Sequence, residues 1–301
     1  MDRTLRGAAE MTAAMTILGT IGLFVVLSGQ AAVDVVFWRC AFGALALVII
    51  CAAQGLFRRQ LTLKKLGIAA VGGVAIVVNW AMLFTAYGET SIGVATAVYN
   101  TQPFILVGFG AMFLGERITI ARLGWLAVAF AGVLLIVLSR PGGADYAGSH
   151  YALGIALALG AAFFWAVAAL LTKKLTGTPP QLIALIQVCV GILMLAPFVS
   201  WQALPEGTTA WGALITLGVV HTGIMYILMY GAVQKLPTYL QGAFSFIYPV
   251  VAIVVDYVAF GHRLQPLQLM GAAAIILAAT GMTFGWRLVR TRKAAATACP
   301  S

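Results

Sequence analysis

The side chains able to do chemistry in this chain are amides, aromatics and one deep histidine, all set inside long apolar runs. They are Asn79 and Trp80, then Tyr99, Asn100 and Gln102, Trp165, Gln187, His221, Tyr226 and Tyr230, and finally Gln241, Ser245 and Tyr248. In lipid such groups face other helices or a wet cavity, because hydrocarbon offers them no partner. Aromatic walls carrying a few amides suit a small organic solute with an apolar body and a polar head. The competing reading is ordinary helix packing, or anchoring at the membrane interface, which fits Trp201, Trp211 and Trp286 at the ends of their runs. His221 lies about ten residues into its run and is expected to bind substrate, carry a proton or hydrogen-bond between helices. Arg39 is expected to snorkel or to pair with Asp34 or Asp256; the alternative is attraction of a substrate carboxylate.

Other chemistries have no residues to rest on. The chain carries no phosphate-binding glycine loop, metalloprotease motif or nucleophile elbow, so neither catalysis nor an ATP-driven step is expected, and no cofactor. Cys40, Cys51, Cys189 and Cys299 have neither metal spacing nor a disulfide framework and read as small apolar residues. Glu10, Asp34, Glu116 and Asp256 all fall near the ends of runs. With no deep carboxylate to carry a proton, His221 would have to serve, or transport would run downhill. The absence of a midplane Lys and Arg cluster argues against phosphorylated substrates.

The elements that position these residues follow from composition. Hydrophobic residues make up 62% of the 301 and charged residues 9%, against roughly 25% charged in a soluble domain. Runs of about 20 apolar residues match a hydrocarbon core roughly 30 Å thick, and the alternating strands of a membrane barrel are not visible. The fold class is therefore all-α integral membrane. Ten spans are expected: Ala8–Ser28, Val33–Ala53, Leu66–Tyr87, Ser91–Leu114, Thr119–Leu138, Ala152–Thr172, Gln181–Trp201, Trp211–Gln234, Thr238–Ala259 and Pro266–Trp286. The first is expected to be kept as a helix, since it lacks a small-residue cleavage site.

The net charge of +10 is a topology signal. With the amino terminus in the cytoplasm, fifteen of the eighteen Lys and Arg fall in cytoplasmic segments, Arg140 and Arg263 outside and Arg39 in a span. The positive-inside rule then sets both termini in the cytoplasm. The basic tail is expected to contact anionic lipid rather than nucleic acid.

The chain also repeats itself. Pro103, Gly115 and Arg117 recur as Pro249, Gly261 and Arg263, always 146 residues later. The same offset superposes Trp80 on Tyr226, Phe84 on Tyr230 and Gln102 on Tyr248. An earlier stretch matches at 148, pairing Arg39 and Gly43 with Gln187 and Gly191. Five spans per half is odd, so the second copy enters the membrane from the opposite side, as an inverted repeat. Glu89 and its mate Lys235 should emerge on opposite faces. The expected organisation is a first five-helix repeat over 1–140, a linker over 141–151, a second repeat over 152–287 and a basic cytoplasmic tail over 288–301. Pro103 and Pro249, falling mid-span, are expected to break their helices and act as matched hinges.

Together these features resemble the drug/metabolite transporter superfamily, in its ten-helix EamA-like exporter type. The resemblance is carried by Trp38-Arg39 with Ala41 to Leu47, by Phe164-Trp165-Ala166, and by Pro103…Gly115-Glu116-Arg117 with its second copy Pro249…Gly261-His262-Arg263. It covers nearly the whole chain. The second copy departs by carrying His262 where the repeat usually has Glu, and the first span has Gly22-Leu23-Phe24 without the usual Trp. The likeness implies export of metabolites, and the aromatic lining most resembles the aromatic amino acid exporters of that group. The expected function is an inner-membrane exporter of aromatic or other apolar amino acids working by alternating access, functional as a monomer. Trp80, Tyr99, Trp165, Tyr226, Tyr230 and Tyr248 would pack the side chain, and Asn79, Gln102, Gln187 and His221 would bind the amino and carboxylate groups. The rival is a multidrug exporter of lipophilic cations, which would want a buried carboxylate. An intramembrane enzyme and a non-transporting receptor or scaffold are the readings from other classes.

Overall fold

The computed structural model describes residues 3–58, 62–90, 92–138, 151–202, 204–260 and 265–286; for Tyr87, Gly88, Ile92, Gly93, Val94, Ala97, Asp256 and Phe260 it describes the backbone alone. The interior of the expected linker, the Gly261-His262-Arg263 copy and the basic tail lie outside the described residues. Fourteen helices form among those described. In the first half they are α1 (Arg3–Gly19), α2 (Ile21–Ser28), α3 (Ala32–Ala53), α4 (Leu63–Glu89), α5 (Ile92–Tyr99), α6 (Gln102–Leu114) and α7 (Ile120–Leu138). In the second they are α8 (Tyr151–Lys174), α9 (Pro180–Leu195), α10 (Gly207–Gly218), α11 (Met225–Lys235), α12 (Thr238–Ser245), α13 (Ile247–Phe260) and α14 (Pro266–Thr283).

Nine stretches among the described residues are long and apolar enough to cross a membrane. The fourth expected span differs: it is cut into α5 and α6 at Asn100 and Thr101. Three more spans are interrupted, at Thr20 between α1 and α2, at a π-helical turn over Val219–Ile224 between α10 and α11, and at Phe246 between α12 and α13. The breaks at Asn100 and Phe246 are 146 residues apart, so the two copies are broken at equivalent positions. Pro103 and Pro249 are not at the centre of a continuous helix. Each lies in the first turn after its break, where a missing N–H costs nothing because first-turn N–H groups have no intrahelical partner.

Helix packing follows the repeat. Where α4 packs on α8, α1 packs on α11; where α3 packs on α10, α4 packs on α9; where α8 meets α5 and α6, α1 meets α12 and α13. The pairs α3 with α9, α6 with α12 and α7 with α14 are their own counterparts. Exchanging the halves thus returns the same set of contacts. Small residues permit the close ones, as lipid-embedded helices require. A Cβ on Gly132 of α7 would lie 2.6 Å from the carbonyl oxygen of Gly271 on α14.

Direction can be read along α8. Its Lys173 donates to Glu116 at 2.6 Å and to the carbonyl of Leu236 at 2.9 Å. Its Gly154 packs against Glu89 and Thr90. Nineteen helical residues separate the two, about 28 Å at 1.5 Å each. Glu89 and Lys235 therefore lie at opposite ends of the bundle. The end that carries Glu10, Glu116, Lys173 and Lys235 is the basic end, and the end that carries Glu89 is the far end.

Candidate substrate cavity

The interrupted helices converge on one cavity of about 170 Å³ midway along the bundle. α4 contributes Trp80, Leu83 and Phe84, and the break between α5 and α6 contributes Tyr99 and Gln102. Trp165 comes from α8, while α11 supplies Met225, Tyr226 and Met229. The α12–α13 break supplies Ser245 and Tyr248, the α1–α2 break Met15, Leu18 and Ile21, and α3 Arg39. Six of the ten expected substrate-contacting positions share this wall: Trp80, Tyr99, Gln102, Trp165, Tyr226 and Tyr248. Positions matched by the repeat meet across it, since the rings of Trp80 and Tyr226 lie 6.4 Å apart edge to face.

The other four stand one layer behind. Asn79 donates from Nδ2 to the Ala161 carbonyl at 2.7 Å and to the Tyr99 hydroxyl at 3.3 Å. It therefore fixes a wall residue to α8. Tyr230 donates to the amide oxygen of Gln187, and Gln187 itself packs on Gly72 and Gly73 of α4. His221 is buried in the π-turn, with Nε2 2.8 Å from the Thr20 hydroxyl and Nδ1 3.4 Å from the Thr216 carbonyl. It links the bulge of the eighth span to the break of the first. Asn100 does the same between the other broken helices, donating to the Thr96 carbonyl at 2.8 Å and to the Tyr248 hydroxyl at 2.9 Å.

Arg39 is the wall residue that sequence reasoning read as structural. The expected pair with Asp34 does not form: the Asp34 carboxylate accepts instead from the Ser200 backbone N–H at 2.9 Å. The side chain of Asp256 lies outside those described. Arg39 donates from Nε to the Thr222 hydroxyl at 3.1 Å, and its Cζ sits 4.7 Å from the centre of the Trp80 ring. The π-turn makes this possible by adding a residue to the turn. It brings Thr222 against Gly43, where a Cβ would meet the Thr222 methyl at 2.7 Å. The methionines of the wall were also missed, because an unbranched apolar side chain in an apolar run carries no sequence signal.

At the basic end the two halves are tied together. α6 ends on Gly115 in the left-handed region, φ 66°, with the Glu116 N–H bonded to the Gly110 carbonyl at 3.0 Å. That cap aims Glu116 at the start of α12, where its Oε2 accepts from the Thr238 N–H at 2.8 Å and the Thr238 hydroxyl at 2.7 Å. A carboxylate of one half so caps a helix of the other. Burial works against the charged form of Glu116, but the hydrogen bonds from Lys173 and Thr238 outweigh it and hold its carboxyl below the usual range. Beside it Lys235 pairs with Glu10, which also accepts from Arg6 at 3.1 Å.

Comparison with known proteins agrees with this architecture. The EamA-like transporter family matches twice, over residues 6–138 and 152–284. An uncharacterized transporter of Bacillus subtilis (strain 168), YxxF, is 30% identical over 268 residues, 88% of this chain and 86% of its own. A protein of Salmonella typhimurium named a probable amino-acid metabolite efflux pump is 28% identical, covering 71% of this chain and 75% of its own. A protein of solved crystal structure superposes with a TM-score of 0.81 at 20% identity, over 94% of this chain and 96% of that one, a likeness of fold. With both halves matched, the chain belongs to the EamA-like transporter family.

Proposed function

We propose that this protein exports amino acids with aromatic or other apolar side chains from the cytoplasm across the cell inner membrane, by alternating access. The observation that carries the reading is the cavity where the broken helices meet. Trp80, Trp165, Tyr226 and Tyr248, with Met225 and Met229, offer an apolar body aromatic and thioether surface. Gln102 offers the polar head an amide oxygen that is buried without a partner, and an unpaired buried acceptor favours a ligand that can donate to it. Asn79, Gln187, His221 and Tyr230 hold this wall from behind. The Salmonella relative's name, an amino-acid efflux pump, points to the same substrate class.

The cycle follows from the exchange symmetry of the halves. With the basic end in the cytoplasm, as the charge distribution favours, the Glu116 and Glu10 ties close the inner side, and the matching exchange would close the outer one. Pro103 and Pro249, each just past a break, are the hinges. One chain is enough to enclose the cavity, which favours the monomer as the transporting unit. A lipophilic cation fits less well, because the charged residue in the wall is itself a cation, Arg39.

Purified protein in liposomes should move phenylalanine, tryptophan or methionine, in counterflow with and without a pH gradient. Rates equal to those of protein-free liposomes would reject the proposal. Competition by ethidium-like dyes in place of amino acids would favour the multidrug reading.

A further inference from the structure

We infer that Arg39 is the carboxylate receptor of this cavity, so that the site selects an organic carboxylate on an apolar body and treats the amino group as secondary. The inference rests on the cavity being the transport site and names the chemistry of its ligand. Arg39 is only 4% exposed, yet it forms part of the wall. A guanidinium has five N–H donors; Arg39 gives one to Thr222 and also reaches the Tyr226 hydroxyl, which leaves donors for a ligand. The face of Trp80 steadies the fork without consuming a donor.

No carboxylate among the described side chains lies in ion-pair range of it. Asp34 is engaged by Ser200, and the described ion pairs, Arg6–Glu10, Lys173–Glu116 and Lys235–Glu10, all sit at the basic end. A buried cation without a counter-ion is costly in a bilayer, and a visiting anion removes that cost. The remaining polar groups of the wall, on Tyr99, Tyr226, Tyr248, Ser245 and Gln102 with the indoles of Trp80 and Trp165, are all neutral. An ammonium group therefore finds only neutral acceptors, the Gln102 oxygen and hydroxyls, and aromatic faces, whereas a carboxylate finds a charged, bidentate partner roughly twice as strong as a neutral one.

The test compares 3-phenylpropanoate, phenethylamine and phenylalanine, which share a body and differ in their charged groups. Binding to the purified full-length protein is read by quenching of tryptophan fluorescence, and transport by competition with phenylalanine flux in liposomes. In the wild-type chain 3-phenylpropanoate should bind within about threefold of phenylalanine, and phenethylamine at least about tenfold more weakly, a difference of about 1.4 kcal/mol. Arg39→Lys should weaken the acid yet keep it ahead of the amine. Arg39→Gln should erase the difference between them. An amine that binds wild type as well as the acid overturns the inference, and so does an acid preference unchanged in folded Arg39→Gln. If Arg39→Gln does not fold, the wild-type ranking and Arg39→Lys decide. If wild type binds the acid preferentially but moves no phenylalanine, the export reading fails and the carboxylate site stands.

Discussion

Trp80 and Tyr230 sit 150 residues apart on helices related by the repeat, and both are aromatics of the midplane. Their surroundings set them apart. Trp80 faces the cavity, stacks over Arg39 and meets Tyr226. Tyr230 is 2% exposed and spends its hydroxyl on Gln187. Trp80→Ala should raise the half-saturating phenylalanine concentration by about tenfold or more, since truncating a Trp anchor typically costs over about 1.4 kcal/mol. Tyr230→Phe should leave that constant within about threefold and lower thermal stability by about 1 kcal/mol, the worth of one hydrogen bond. Equal losses of affinity in both variants would put Tyr230 in contact with substrate. At this scale the sequence told depth but not direction. Polar residues in apolar runs marked Asn79, Gln187 and His221 as interior, and they are interior; which way each side chain points depends on neighbours that spacing does not specify. Arg39 is visible as an outlier, but its structural reading, snorkelling or a pair with Asp34 or Asp256, misses the contact with Thr222, which a π-turn in another helix presents.

At the scale of elements, helix breaks rather than kinks make the site. The sequence showed where, through Pro103 and Pro249, but the prolines stabilise the starts of α6 and α13 instead of bending a continuous helix. The breaks at Thr20 and at Val219–Ile224 left no such mark. The Gly115-Glu116 pair has an equally local logic, a left-handed cap that delivers a carboxylate to α12 in the other half. Because the Glu116 carboxyl is held below its ordinary value, its contribution is complete above about pH 4.3. It is lost only as pH falls through the lower folded value. The tie should therefore be insensitive to pH between about 5.5 and 8. Glu116→Gln should lower stability at neutral pH by about 1 kcal/mol, allowing for partial exposure, and leave the shape of the pH–flux profile over that range unchanged. Melting curves from about pH 3 to 7 check the sign: wild type and variant should converge at the acid end. A variant that is instead destabilised most at low pH would contradict the assigned shift.

For the whole molecule, the inverted repeat was the most legible feature, because an odd number of spans per half leaves no other arrangement and the packing pairs obey it. What spacing could not give is where side chains tie the halves together. The ties through Glu116 and Glu10 join the halves at the basic end, and the second copy carries His262 where the first has Glu116, so this carboxylate clasp has no identical partner in the other half. If, as proposed, these ties close the cavity at the basic end, it communicates through the other. With the native cysteines replaced, a membrane-impermeant maleimide on intact cells should label Glu206→Cys, at the far end before α10, and spare Thr176→Cys, at the basic end after α8. Phe84→Cys in the wall should react from outside, and less so when saturating phenylalanine fills the cavity. Adding Glu116→Gln should shift the Phe84→Cys reaction toward reagent supplied to inside-out vesicles, since loosening one clasp favours the opposite opening. Labelling of Thr176→Cys from outside would reverse the orientation, and Phe84→Cys reactivity indifferent to Glu116→Gln would detach the clasp from access to the cavity.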